Sequence, residues 1–184
     1  MDLAVARAMH AAGFANFVRT HLWLRDVLTA PGWFGFTALV AAAVACLHPD
    51  RLRAGLFIVL TTASAALNEP IKWLVGRTRP YKLEENPGHL APFELHPLSF
   101  AKNLCFPSGH ATLAFATAAA LGILWPRWQW LWYSIAGVVA VERFAENAHW
   151  LSDTVAGAAL GIGGAHVFAW LLKSWKINLL TSRS

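Results

Sequence analysis

This sequence is poor in charge: 14% of its 184 residues are charged and 57% are hydrophobic, a balance that excludes an ordinary soluble domain. Cysteine is scarcer still. Cys46 and Cys105 are too few for a disulfide framework and lack the spacing of a metal site, so both read as plain thiols. Nothing at the amino terminus reads as a secretory signal, because Arg7, His10, Arg19 and His21 interrupt residues 1–28 before an apolar core forms. Targeting is expected to fall to the first span. The net charge of +5 comes from basic residues scattered among apolar runs rather than aligned in a stripe. That excludes nucleic acid as a partner and leaves anionic lipid or a phosphate substrate. No ten-residue alternation recurs, which excludes a transmembrane barrel. No repeat and no second domain is visible, and residues 1–184 read as one domain.

What the sequence does have is long apolar stretches, at roughly 31–48, 53–75, 109–125, 129–144 and 153–173. A hydrocarbon core of about 30 Å asks for about 20 residues per helix, so these predict an all-α integral membrane bundle of about five spans over residues 31–173. Residues 1–28 place Leu3, Ala6, Met9, Phe14, Phe17, Leu22 and Leu24 among arginines and histidines, the pattern of an amphipathic helix lying in the interface. Trp125, Trp128, Trp130 and Trp132 around one Pro-Arg turn fit an aromatic belt. Gly157 and Gly161 have the GxxxG spacing of close helix packing.

Counting crossings puts the loops 76–108 and 142–152 on one side of the membrane, and with them Lys72, Arg77, Arg79, His110, Arg143, His149 and Asp153. The other side carries Arg51, Arg53, Arg127, Lys173, Lys176 and Arg183 against Asp50 alone, so it is expected to be cytoplasmic. The functional face and the amino terminus are then extracytoplasmic. Cys46 and Cys105 fall at opposite surfaces and should not pair.

Three constellations lie on that functional face. In "KWLVGRTRP" Lys72 supplies a compact charge and Arg79 a planar fork, a combination suited to a phosphate group, although basic anchoring at an interface would use the same residues. In "PSGH" Pro107 and Ser108 can start a helix whose first amides form an anion site beside Gly109, with His110 placed to donate a proton. In "RFAENAHWLSD" His149 and Asp153 are one helical turn apart, so the carboxylate can hold the imidazole in one tautomer and leave its other nitrogen nucleophilic.

In this order the motifs resemble the type-2 phosphatidic acid phosphatase superfamily, whose signature reads K-x6-RP, PSGH and SR-x5-H-x3-D; the match runs from Lys72 to Asp153. The resemblance implies His149 as a nucleophile that forms a phosphohistidine, Asp153 as its partner and His110 as general acid for the leaving oxygen. It further implies Lys72, Arg79, Arg143, Ser108 and the Gly109 amide as holders of the phosphoryl oxygens, with no metal and no cofactor. Glu142 departs from the pattern, standing where serine precedes the arginine, and must point at Arg143 or another cation if it is not to repel the substrate. Glu69 and Glu146 are as suited to neutralising the cations as to catalysis. His89 and His96 are expected to be solvated loop residues, and His166 to bond a neighbouring helix.

The function this implies is dephosphorylation of a lipid phosphate or diphosphate at the extracytoplasmic surface, with membrane lipids as surroundings. Phosphatidic acid, phosphatidylglycerol phosphate, an isoprenyl (undecaprenyl) diphosphate and a lipid A phosphate all remain open as substrates. A vanadate-dependent haloperoxidase shares such a pocket, but those resemble larger soluble proteins. An inactive lipid-binding scaffold is suggested only by Glu142.

Overall fold

The computed structural model describes residues 2–48, 50–81 and 104–174; His89 and His96 lie outside them. Among the described residues the structure is helical, with a single isolated bridge between Thr78 and Leu104.

The segment expected as one interfacial helix is divided into α1 (Asp2–Ala11), α2 (Phe14–Thr20) and α3 (Leu22–Thr29). Gly13 makes the first break at φ 68°, a left-handed conformation that lacks a steric cost only for glycine. A 3₁₀ turn, Ala30–Gly32, carries α3 into α4 (Phe34–Leu47), and the two arms meet at a 55° bend. Pro31 in that turn has no backbone N–H to continue a helical ladder.

α5 (Arg51–Ala63), a 3₁₀ turn (Ser64–Leu67) and α6 (Asn68–Val75) run on as one rod. Its stretch Arg53–Val75 is long and apolar enough to span a bilayer, at the limits the apolar run predicts. The tightened middle coincides with hydroxyls that return to the helix backbone: Thr62 Oγ1 donates to the Ile58 carbonyl at 2.8 Å and Ser64 Oγ to that of Thr61 at 2.6 Å. α7 (Gly109–Leu124), α8 (Gln129–Ala145) and α9 (Leu151–Ser174) complete the bundle. By length and composition Leu151–Lys173 is also a full span, the bent α3–α4 pair can count as a third, and α7 is apolar but shorter.

α7 is the central helix, packed against α9, α8 and α5. Its alanines at 111, 114, 116, 118, 119 and 120 are buried and let neighbours approach closely. α9 approaches through Gly161, where a Cβ would lie 2.3 Å from the Thr112 carbonyl oxygen, and through Gly157, where it would lie 2.6 Å from that of Ser108. The outward faces carry exposed Leu39, Leu56, Leu74, Val155 and Trp170, which suits a hydrocarbon solvent rather than water. The His48 and Trp125 rings, 5.7 Å apart, bring two short connections together at one end. The polar cluster described next occupies the other.

Candidate active site

α7 begins where Ser108, at φ −73° and ψ 112°, turns the chain and its Oγ accepts from the Ala111 amide at 3.5 Å. Ser108 is fully buried, so its hydroxyl serves as a helix cap. Its own N–H donates to the Asp153 carbonyl at 3.0 Å, which fastens the start of α7 to the start of α9. The link sets the position of His110 relative to the turn that bears His149.

That turn, between α8 and α9, folds back at Asn147, whose φ of 59° is a conformation asparagine tolerates better than most residues. His149 follows at 4% exposure. Its Nδ1–H donates to the Cys105 carbonyl at 2.9 Å, while Asp153 Oδ2 stands 3.6 Å from the same nitrogen. The tautomer is therefore fixed chiefly by a backbone carbonyl, with Asp153 contributing charge from just beyond hydrogen-bond range. Nε2 is left with its lone pair. Burial pushes the imidazole pKa down to about 4; Arg79 and Arg143 add to the shift and Asp153 opposes it. His149 is thus neutral at physiological pH. Burial raises the neighbouring Cys105 thiol far above its ordinary range, so it stays protonated; neither cysteine is in a disulfide.

Asp153, fully buried, is held on both oxygens. Arg77 Nη1 donates to Oδ1 at 2.5 Å and the Trp150 N–H donates to Oδ2 at 2.9 Å. Arg77 is 1% exposed, with its guanidinium 5.1 Å from the centre of the Trp150 ring. Its second nitrogen donates to Asp2 Oδ2 at 2.8 Å, and Asp2 also accepts from the Ser152 amide at 3.2 Å and from the Ser152 hydroxyl. Burial works against ionisation of Asp2, but these hydrogen bonds outweigh it and hold its carboxyl below the usual range. The result is a chain of alternating charge, Asp2 to Arg77 to Asp153, that ends beside His149.

Of the expected phosphate holders, Lys72, Gly109, Arg79 and Arg143 line two cavities that share His110, and Ser108 lines neither. One, of about 640 Å³, is lined by Arg79, Arg143 and His110 together with Arg25, Trp33 and Tyr81. Ala148, the residue before His149, lines it too, and its carbonyl accepts from Arg79 Nη1 at 3.2 Å. The other, of about 350 Å³, is lined by Lys72, Gly109 and His110. Lys72 Nζ donates to Glu69 Oε1 at 2.6 Å. The turn at Gly32 presses directly on His110, where a Cβ would lie 2.9 Å from both the Cβ and the carbonyl oxygen of that residue.

Glu142 points at Arg143. Its two oxygens accept from Nε at 2.7 Å and Nη2 at 3.0 Å, and Glu146 takes a further short hydrogen bond from Nη2. The departure from the serine pattern therefore produces a bidentate clamp on a cation rather than an acid facing the cavity. Among the described residues His166 makes no hydrogen bond to a neighbouring helix; its Nδ1 bonds the Ile162 carbonyl one turn back on α9 at 2.9 Å. Arg77 was legible as a member of the functional face but not as the residue that holds Asp153. Asp2, Arg25 and the Cys105 carbonyl carried no local sequence signal.

The PAP2 superfamily model matches residues 53–177. The chain is 33% identical over 109 residues to a lipid A 1-phosphatase of Rhizobium johnstonii, covering 58% of this chain and 43% of that protein. It is 34% identical over 91 residues to a lipid A 1-phosphatase of Porphyromonas gingivalis, covering 47% and 20% respectively. It is also 32% identical over 65 residues to the bacitracin transport permease protein BcrC of Bacillus licheniformis, covering 35% and 32%. These matches take in less than half the length of each of those proteins. Among solved structures, a transmembrane PAP2-type phosphatidylglycerolphosphate phosphatase from Bacillus subtilis shares the fold with a TM-score of 0.56 at 20% identity, over 96% of this chain and 94% of that one. The architecture is thus an all-α integral membrane bundle, and, with the family match extending over more than half its residues, the chain belongs to the PAP2 superfamily.

Proposed function

We propose that the protein, acting as one domain, is a metal-independent lipid phosphatase that works through a phosphohistidine on His149. The observation that carries this reading is the hydrogen bond from His149 Nδ1 to the Cys105 carbonyl, which leaves Nε2 with its lone pair one residue from Ala148, a residue that lines the cavity with Arg79, Arg143 and His110. Nε2 attacks phosphorus, a P–N bond forms as the P–O bond to the lipid breaks, and His110 gives its proton to the departing oxygen. A water then attacks the phosphohistidine, losing a proton to His110, and inorganic phosphate leaves with the P–N bond broken. Lys72, Arg79 and Arg143 spread positive charge over the equatorial oxygens, aided by the amides at the start of α7. Ser108 holds that helix start in shape. Asp153, braced by Arg77, stabilises the cationic imidazole once it is phosphorylated.

The site would face the periplasm or cell exterior of a bacterial inner membrane, because the opposite end bears the exposed Arg51 and Arg53 at the start of α5 and Arg127 on the turn before α8. The lipid A 1-phosphatases among the relatives make a glycolipid phosphate the first substrate to try, ahead of phosphatidic acid, phosphatidylglycerol phosphate and an isoprenyl diphosphate. The test is phosphate release by purified protein across these four lipids with chelator present. We expect turnover of at least one, unaffected by chelator and abolished in a folded His149→Ala variant. Full activity in that variant refutes the mechanism, and activity lost to chelator refutes the metal-free chemistry.

A further inference from the structure

Asn68 opens α6 and is 2% exposed, yet among the described residues one end of its amide has no hydrogen-bond partner. The other end is anchored: Oδ1 accepts from the Thr112 hydroxyl at 3.2 Å. A buried donor left unpaired costs about 1–3 kcal/mol, so its persistence calls for a reason. The direction in which Nδ2 points supplies one. A Cβ built on Gly109 would lie 3.9 Å from Asn68 Nδ2 and 3.8 Å from Lys72 Nζ, so a neutral double donor and a cation converge on the space against Gly109. The first amides of α7, which have no intrahelical acceptor, belong to the same spot. Asn68, Lys72, Gly109 and His110 all line the 350 Å³ cavity there. Glu69 also lines it, but its carboxylate is engaged with Lys72 and its side chain is 60% exposed.

We propose that Asn68 is a substrate-contacting residue whose Nδ2 donates to a phosphoryl oxygen held by Lys72 and the start of α7. This rests on the phosphatase reading above and adds to it a ligand that none of the three motifs contains. A neutral amide adds hydrogen bonds without adding charge to an already cationic site. The Thr112 anchor sets the amide before substrate arrives, so little reorganisation is needed when charge develops on the oxygen. Gly109 is part of the same design, since any side chain there would stand between the two donors and their target.

Asn68→Asp tests this most directly, because it keeps the shape and the acceptor for Thr112 but replaces the amide donor with a carboxylate oxygen. Phosphate release is measured on the lipid that the wild type hydrolyses best, together with inhibition by inorganic phosphate and by orthovanadate. We expect kcat/KM to fall by about 10²–10³-fold, the usual loss for one such donor. Both inhibition constants should rise at least tenfold. Asn68→Ala should show the same losses at similar or smaller size, and it decides the matter if the aspartate variant does not fold. Either folded variant within threefold of wild type in kcat/KM and in both inhibition constants overturns the assignment while leaving the phosphatase reading intact. A wild type that releases phosphate from no lipid phosphate overturns both.

Discussion

Replacing Gly161 with alanine is the sharpest test of how α7 and α9 set the catalytic geometry. The added Cβ would stand 2.3 Å from the Thr112 carbonyl oxygen and 2.8 Å from the Ala116 nitrogen. Both are backbone atoms and cannot rotate away. Ordinary van der Waals contact begins near 3.4 Å, so the two helices must part locally by about 1 Å. Overpacking of this kind costs about 1–3 kcal/mol, and the upper end applies where neither neighbour can change rotamer. The activity loss should exceed what that destabilisation alone explains. Ser108 and Asp153, which join the two helix starts, lie just beyond the strained contact, and an error of about 1 Å between catalytic groups can cost about 10²-fold in rate. Gly163→Ala is the control, since nothing lies within 4 Å of its Cβ and alanine favours a helix by about 0.5–1 kcal/mol. Thermal unfolding in detergent and phosphate release, measured side by side, decide the outcome. Equal stability and equal activity of the two variants would show that the close approach does not set the site.

Four further outcomes follow from the polar network. With the His149 pKa near 4, the acid limb of kcat/KM should lie near pH 4, because a protonated imidazole has no lone pair at Nε2; a limb near 6.5 refutes the buried, neutral nucleophile. The same depression means that the unfolded chain takes up its proton at a higher pH than the folded one, so stability attributable to His149 is lost as pH falls from about 6.5 toward 4, as pH-dependent unfolding would reveal. Asp2→Asn should lower kcat about tenfold with little change in KM, as Arg77 loses the anion that aligns it on Asp153, and unchanged kcat removes Asp2 from the network. Glu142→Ala should destabilise the fold by about 1–3 kcal/mol, because buried Arg143 loses two hydrogen bonds but keeps Glu146 as a carboxylate partner; a loss below about 0.5 kcal/mol in chemical denaturation contradicts the clamp.

The spans were legible because apolar runs in a membrane chain must be helical, and 53–75 coincides with its run. The residues of the three motifs were legible because phosphate chemistry demands cations, helix-start amides and an oriented imidazole. Their supports were not. Cys105 contributes through its carbonyl, which every residue possesses, and Arg77 reaches Asp153 across 76 positions. Arg25 entered the cavity lining only because the segment preceding α4 folds back through the bend at Pro31. Such contacts depend on how helices pack, and spacing along the chain does not encode them.

Asp2 and Ser152 are 150 positions apart, yet they meet close to His149. During synthesis Asp2 can meet Arg77 once α6 has been made, but its contacts with Ser152 wait until α9 has been laid into the bilayer. Arg77 likewise waits for Asp153, which α9 carries. The charge chain closes only when α9 arrives, so a partly made protein holds the cations and His110 without Asp153. On the proposed mechanism assembly and activation are then a single event, and a chain stalled before α9 would be inert toward lipid phosphates.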